Sequence, residues 1–99
     1  MQKKFIIISL LALLLTSCSE YNRVLKSTDA NQKFDYAKKM FEERKFAQSA
    51  TLLTDVVKVL KGTDKAEESL YLLGLSYYEN KDYMTASTYF KTYYTHYPK

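Results

Sequence analysis

The feature that most constrains this 99-residue chain is an internal repeat with an offset of 37 residues. Seven residues of one segment match seven of a later segment in size or chemistry. The pairs are Tyr36 with Leu73, Ala37 with Gly74, Met40 with Tyr77, Phe46 with Tyr83, Ser49 with Ala86, Leu53 with Phe90, and Val56 with Tyr93. Steps of three and four residues in each copy surround one step of six, which predicts a helix, a turn and a second helix.

The repeat therefore predicts an all-α chain. Apolar residues recur at the i, i+3, i+4 spacing of a buried helical face in four segments, at about residues 31–44, 47–60, 65–79 and 83–97. Two glycines and one proline are too few turn formers for a many-stranded β protein. The expected helix ends are N-caps at Asp64, with Glu67 three residues on, and at Asp82, and stops at Gly62 and Pro98.

Small residues predict where the helices approach each other closely. They stand at equivalent places in the two copies: Ala37 and Gly74 on the first helix, Ser49 and Ala86 on the second. A glycine inside a helix costs about 1 kcal/mol relative to alanine, so we expect Gly74 to have a packing reason. Phe46 and Tyr83 are expected to fill the corner at each turn.

The amino terminus has the pattern of an export signal. Lys3 and Lys4 precede Phe5–Leu15, eleven residues that are apolar except for Ser9. As a helix this run would be roughly 16 Å long, which is about half of the hydrocarbon core of a bilayer. The pattern is typical of a signal peptide rather than a permanent membrane span, and we expect residues 1–17 to be removed.

The only cysteine follows this run directly. The order Leu15, Thr16, Ser17, Cys18 resembles a bacterial lipobox, and Ser19 resembles the residue found after the cysteine in lipoproteins sent on to the outer membrane. The resemblance implies cleavage before Cys18, diacylglycerol on its sulfur and an N-acyl chain such as palmitate on its amino group. The alternative is an ordinary secretory signal with a cysteine placed by chance. A single cysteine excludes an intramolecular disulfide.

From Ser19 to about Ala30 the sequence is largely polar, with one short apolar spot at Val24 and Leu25, and it shows no sustained period. We interpret residues 18–30 as a flexible lipid-anchored tether, with the fold starting near Asn31. Two repeat units, 31–62 and 63–99, complete the predicted organisation.

The second copy resembles the tetratricopeptide repeat, a pattern of about 34 residues. It matches at Leu73, Gly74, Tyr77, Tyr83, Ala86, Phe90 and Pro98 and departs at Tyr93; the first copy is looser. The resemblance implies antiparallel helix pairs of a repeat solenoid. Such arrays generally need three or more units, and the last segment carries Tyr89, Tyr93, Tyr94 and Tyr97 where an end repeat should be polar, so we expect the array to be truncated here.

The segments "LKSTD", after the proposed anchor, and "GTDKAEE", at the start of the second copy, give a narrower resemblance. With the lipobox and the repeats, they make the chain similar to the BamD family of outer-membrane lipoproteins in its Bacteroidetes form. The family implies an adaptor on the periplasmic side of the outer membrane that contacts the barrel-forming assembly subunit and receives unfolded outer-membrane proteins. Its contact with that subunit uses later repeats than the two present here.

In tetratricopeptide proteins the first helices of the repeats line a groove. Mapped on this chain, the candidate peptide-binding residues are Asn31, Phe34, Lys38, Phe41, Glu42, Glu68, Tyr71, Leu75, Tyr78 and Glu79. Their aromatic rings, with charges between them, suit an extended peptide that ends in an aromatic residue. An alternative for Phe34 and Phe41 is that they widen the buried stripe of their helix.

Other classes of function have less support. His96 is the only histidine and has no metal-ligand spacing around it, so we expect no catalytic residues, no metal and no cofactor besides the lipid. The net charge of +4 includes Lys3 and Lys4, and the remaining cations are interspersed with anions, which argues against a nucleic-acid partner. The alternatives are a SusD-like glycan-binding lipoprotein, which the absence of tryptophan disfavours, and an envelope-organising repeat lipoprotein.

Overall fold

The computed structural model describes residues 19–97, and all regular secondary structure in that range is helical. The chain is helical at residues 19–26, which we call α1, and then forms α2 (Ala30–Glu42), α3 (Phe46–Val59), α4 (Asp64–Glu79) and α5 (Tyr83–His96). The all-α prediction is confirmed, and the four predicted helices agree with α2–α5 to within two residues at each end. The proposed signal peptide, Cys18 and Pro98 lie outside the described residues. Within 19–97 no helix is both long and apolar enough to span a bilayer.

The helices pack mainly in chain order. α3 lies against α2 and α4, α5 lies against α4, and α2 touches α4 only lightly. Leu52, Leu53 and Val56 of α3 are completely buried, and the core continues through Ala37 of α2 and Leu73 of α4. The predicted stripes of α2, α3 and α4 therefore meet in one core. The stripe predicted on α5 is mostly half-buried: Ala86 is buried, and Tyr89 packs against the core.

The α2–α3 and α4–α5 turns have the same geometry. Arg44 and Lys81, which are related by the repeat offset, have φ angles of +63° and +65°. In the first turn the amide of Arg44 donates to the carbonyl of Phe41 and that of Lys45 to Met40; Lys81 and Asp82 make the equivalent bonds in the second turn to Tyr78 and Tyr77. These two hydrogen bonds around a left-handed residue form a Schellman motif at the end of a helix, and the motif occurs at equivalent positions of the two copies.

The N-caps agree with the prediction at one site and differ at another. Asp82 caps α5 by accepting from the amide of Thr85. The cap of α4 is Thr63, not Asp64 as predicted: the Thr63 hydroxyl accepts from the amide of Ala66 and donates to the carbonyl of Leu60. Asp64 is the first helical residue, where its negative charge is favourable beside the helix N-terminus.

The small residues Gly74 and Ser49 lie at direct contacts between neighbouring helices. A Cβ atom placed on Gly74 would lie 2.5 Å from Cε1 of Phe90 on α5, so the ring occupies the space of the missing side chain. In the first copy, Ser49 of α3 is fully buried and its hydroxyl donates to the carbonyl oxygen of Ala37 on α2, at 2.8 Å. Both findings confirm the predicted close pairing of helices.

The expected flexible tether is wrong over residues 19–26. This segment is helical, and Val24 is only 2% exposed in the main core cluster, with Tyr21 and Leu25 packed against it. Asp29 then caps α2 by accepting from the amides of Asn31 and Gln32. The fold therefore includes α1 and does not begin at Asn31, because burying three apolar side chains favours an ordered segment.

Candidate functional site

The predicted groove residues lie along α2 and α4, and polar contacts join α2, or the turn after it, to α4 at three levels. Lys65 Nζ lies 2.7 Å from Asn31 Oδ1, Lys38 Nζ lies 3.1 Å from Glu68 Oε1, and Arg44 Nη2 lies 3.7 Å from Glu79 Oε2. Residue numbers rise together along both helices, so α2 and α4 run parallel. We call this surface the α2–α4 face.

Phe34 does not present its ring on the α2–α4 face. Its side chain is 4% exposed and belongs to the core cluster. The ammonium groups of Lys38 and Lys65 lie 5.2 Å and 5.6 Å from the ring centroid, which is cation–π distance. The structure therefore places Phe34 in the widened core stripe, which was the alternative interpretation for this residue.

Phe41 and Tyr78 occupy equivalent places at the ends of α2 and α4. Phe41 makes an edge-on contact with Phe46 at 5.2 Å between centroids, and Tyr78 makes the same contact with Tyr83 at 5.3 Å. Phe41 is half-buried, whereas Tyr78 is 52% exposed. Both pairs fill the corners of the helix pairs, as predicted for Phe46 and Tyr83, but only the second pair leaves much aromatic surface open.

Tyr71 is the other accessible aromatic residue of the α2–α4 face. It is 40% exposed, and its ring centroid lies 6.0 Å from that of Phe90 and 5.4 Å from that of Tyr93. The ring contacts continue from Tyr93 to Tyr94 and Tyr97. Because Tyr71 is held by α5, its ring is positioned before any ligand arrives.

The remaining predicted residues complete a mixed surface. Leu75 is half-buried on α4, between the levels of Tyr71 and Tyr78, while Glu42 is exposed near the end of α2. The structure thus brings the α2 and α4 residues together as one face, with Tyr71 and Tyr78 as its open rings. Lys65, which contacts both Asn31 and Phe34, was not among the predicted groove residues. Its position three residues before Glu68, on the same side of a helix, was the available signal.

Tyr77 on α4 has a hydroxyl group whose pKa is shifted by its surroundings. Its ring stacks on Tyr89 with an interplanar angle of 8° and a centroid distance of 5.4 Å. Burial raises the pKa of the Tyr77 hydroxyl, and the nearby Tyr89 and Asp82 raise it further. Tyr77 belongs to the packing between α4 and α5.

Among residues 19–97 no cluster of three or more histidine, cysteine or acidic side chains is arranged to hold a metal ion. His96 lies on the exposed side of α5 with Nδ1 at 2.9 Å from the carbonyl oxygen of Thr92. The α2–α4 face itself combines the open rings of Tyr71 and Tyr78 with polar contacts between exposed side chains.

Comparisons with protein-family models, with curated proteins and with solved structures found no match for this chain.

Proposed function

We propose that this chain is a lipid-anchored periplasmic adaptor of the outer-membrane β-barrel assembly machinery, built on tetratricopeptide repeats and binding unfolded outer-membrane protein segments. The observation that supports this best is the α2–α4 face. It combines two accessible, pre-positioned tyrosines, Tyr71 and Tyr78, with polar side chains from two parallel helices.

An extended peptide fits this chemistry. Its aromatic side chains would pack on Tyr71 and Tyr78, where each ring pair contributes about 0.5–1.5 kcal/mol beyond the buried area. Its backbone would bond to groups now paired across the face, such as Lys38 with Glu68 and Lys65 with Asn31. The side chains of Lys38 and Glu68 are 43% and 47% exposed, and exposed ion pairs contribute only about 0–1 kcal/mol, so opening the pair for a ligand costs little.

The anchor is the second part of the proposal. Residues 1–17 act as a lipoprotein signal peptide, and Cys18 carries diacylglycerol and an N-acyl chain that hold the protein on the periplasmic side of the outer membrane. Two or three acyl chains give a durable anchor, whereas one chain is marginal. The Cys18→Ser variant is expected to stay unprocessed and to lose lipid labelling, and normal processing of this variant would contradict the lipobox interpretation.

The barrel-forming assembly subunit is the expected protein partner. In the BamD family, which this chain resembles, that contact is made by later repeats. We therefore assign it to no residue of the two repeats in this chain.

Site-specific photocrosslinking tests the binding face. A photoreactive phenylalanine at position 71 or 78 should trap the C-terminal segment of an unfolded outer-membrane protein. Val59, which is 65% exposed at the end of α3, provides the control position and should trap none. Equal capture at all three positions, or none at 71 and 78 in a functional protein, would contradict the proposal.

The exposed rings also support a second candidate, glycan binding of the SusD-like kind. Tyr71, Tyr93 and Tyr94 form a contiguous aromatic cluster, and sugars bind to such surfaces by stacking. Saturable binding of the chain to an oligosaccharide on a glycan array, abolished by Tyr94→Ala, would favour this candidate.

The remaining alternative is a spacer role in the envelope. Co-purification with peptidoglycan-associated proteins, without any barrel subunit, would favour it.

A further inference from the structure

The two Schellman turns lie at the same end of the molecule. Arg44 of the first turn reaches Glu79, next to the second turn, and Arg44, Lys45 and Asn80 line one surface depression. We call this end, with the residues around it, the turn end; its exposed cations are Arg44, Lys45 and Lys81.

Large side chains are unusually open at the turn end. Met84 is 85% exposed, Tyr83 is 57% exposed and Tyr78 is 52% exposed, and Tyr78 and Tyr83 support each other edge to edge. Tyrosine, with an apolar ring and a polar tip, suits the boundary between lipid and water, and Lys or Arg can place an aliphatic stem in the lipid while keeping the charge in the headgroups. At the turn end, exposed tyrosines and exposed Lys and Arg side chains lie within one or two helical turns of one another.

The direction of α1 connects this end to the anchor. Glu20 and Arg23 of α1 line the same depression as Asp35 and Lys39 of α2. Because the two helices are joined by a short turn before Ala30, this arrangement makes α1 antiparallel to α2, so the beginning of α1 is directed toward the turn end. Cys18 is the residue before this helical segment in the sequence.

We propose that the turn end rests in the interfacial region of the membrane to which Cys18 is anchored. The inference rests on the proposed lipid anchor and adds to it an orientation and a second membrane contact, made by Tyr83 and Met84. Tyr78 stays with the α2–α4 face. Since α1 is packed on the core through Val24, little free chain remains between the lipid and the folded body. The body is therefore held against the bilayer and does not swing on a tether.

The charges of the turn end predict its lipid preference. Arg44, Lys45 and Lys81 are offset by Glu79, Asp82 and the two glutamates that end α2. The contact should therefore depend on ring and thioether insertion and not on anionic headgroups. Adding phosphatidylglycerol to phosphatidylcholine vesicles is expected to change the depth of insertion very little.

Tryptophan fluorescence gives a direct test, because the chain contains no tryptophan. The full lipidated chain carrying Met84→Trp is placed in phosphatidylcholine vesicles that contain lipids brominated near the headgroup. The control is Val59→Trp, which is 65% exposed at the far end of α3. α3 has 14 residues, so this probe lies about 20 Å from the turn end.

Tryptophan at position 84 should be quenched severalfold more than tryptophan at position 59, with an emission shift to shorter wavelength. If the protein floats with the vesicles and neither probe is quenched, or position 59 is quenched more, the orientation is wrong while the anchor stands. If the processed chain does not float with vesicles at all, the proposed anchor fails. Unchanged circular dichroism in both variants confirms that each probe reports on the folded chain.

Discussion

Gly74 of α4 and Phe90 of α5 are in direct contact: a Cβ atom on Gly74 would be 2.5 Å from the Phe90 ring. The equivalent residues of the first copy are Ala37 and Leu53, both fully buried. One copy thus combines the smallest residue with a larger ring, and the other combines alanine with leucine. The smaller residue of the α4–α5 pair is thus accompanied by the larger partner.

This relationship predicts the effect of Gly74→Ala. The variant should lose about 1–3 kcal/mol of unfolding free energy from overpacking, although alanine favours the helix by about 1 kcal/mol. Adding Phe90→Leu, which recreates the pair of the first copy, should restore most of the loss. Urea unfolding followed by circular dichroism measures both, with Ser87→Ala on the exposed side of α5 as control. A stabilised single variant would refute the contact.

Burial of α1 predicts that Val24→Ala destabilises the folded chain. Val24 is 2% exposed in the core cluster, so its truncation should cost about 1–3 kcal/mol, as expected for removing buried methyl groups. Arg23→Ala changes an exposed neighbour on the same helix and should have an effect below about 0.5 kcal/mol. Equal, negligible effects of the two changes in thermal unfolding would return this segment to the status of a flexible tether.

Replacing the buried residues Ser49 and Ser76 by alanine should change the free energy of unfolding differently. The Ser49 hydroxyl bonds the carbonyl of Ala37, so Ser49→Ala should cost about 1 kcal/mol. The Ser76 hydroxyl is buried and has no hydrogen-bond partner among the described residues, so Ser76→Ala should be neutral or stabilising by up to about 2 kcal/mol. Denaturant midpoints of the two variants give the comparison, and a loss for Ser76→Ala as large as for Ser49→Ala would contradict it.

The environment of Tyr77 predicts a loss of stability in alkali. Its pKa is raised in the folded state above the ordinary value of 10.0, so the folded chain holds this proton more firmly than the unfolded chain does. The resulting stabilisation is complete below pH 10 and is lost as the pH rises through the folded pKa. Tyr77→Phe, which cannot ionise, should reduce the fall in unfolding free energy over that range more than Tyr94→Phe does. Equal slopes for the two variants would contradict the role of Tyr77.

Helices α2–α5 could be predicted because the repeat fixes the spacing of their apolar residues. Helix α1 could not be predicted from the sequence. Val24 and Leu25 are two apolar residues in a polar segment, too few to show a period, and their burial comes from contact with the rest of the core.

The predicted N-cap of α4 was wrong by one residue for a local reason. Thr63 and Asp64 are both good cap residues. The backbone at Gly62, with φ of +88°, brings Thr63 next to Leu60, where its hydroxyl forms a hydrogen bond, and Thr63 therefore becomes the cap.

The binding face was predictable by position but not by exposure. Phe34 and Tyr71 hold the same place in the two copies, yet Phe34 is covered by Lys65 from the following α4, and no later helix among the described residues covers Tyr71. Which rings are open thus depends on neighbours 30 or more residues away in the chain, as Lys65 is from Phe34. Periodicity within one helix carries no such information.

The chain-ordered packing of α2 to α5 has a consequence for how the protein forms. Because each helix contacts chiefly the one before it and the one after it, native contacts join residues close in sequence, and a low contact order of this kind favours fast folding. Each helix pair can pack together as soon as both of its helices are available to fold. A chain delivered amino terminus first can therefore fold vectorially, with the buried residues of α1–α4 packed together before α5 has emerged.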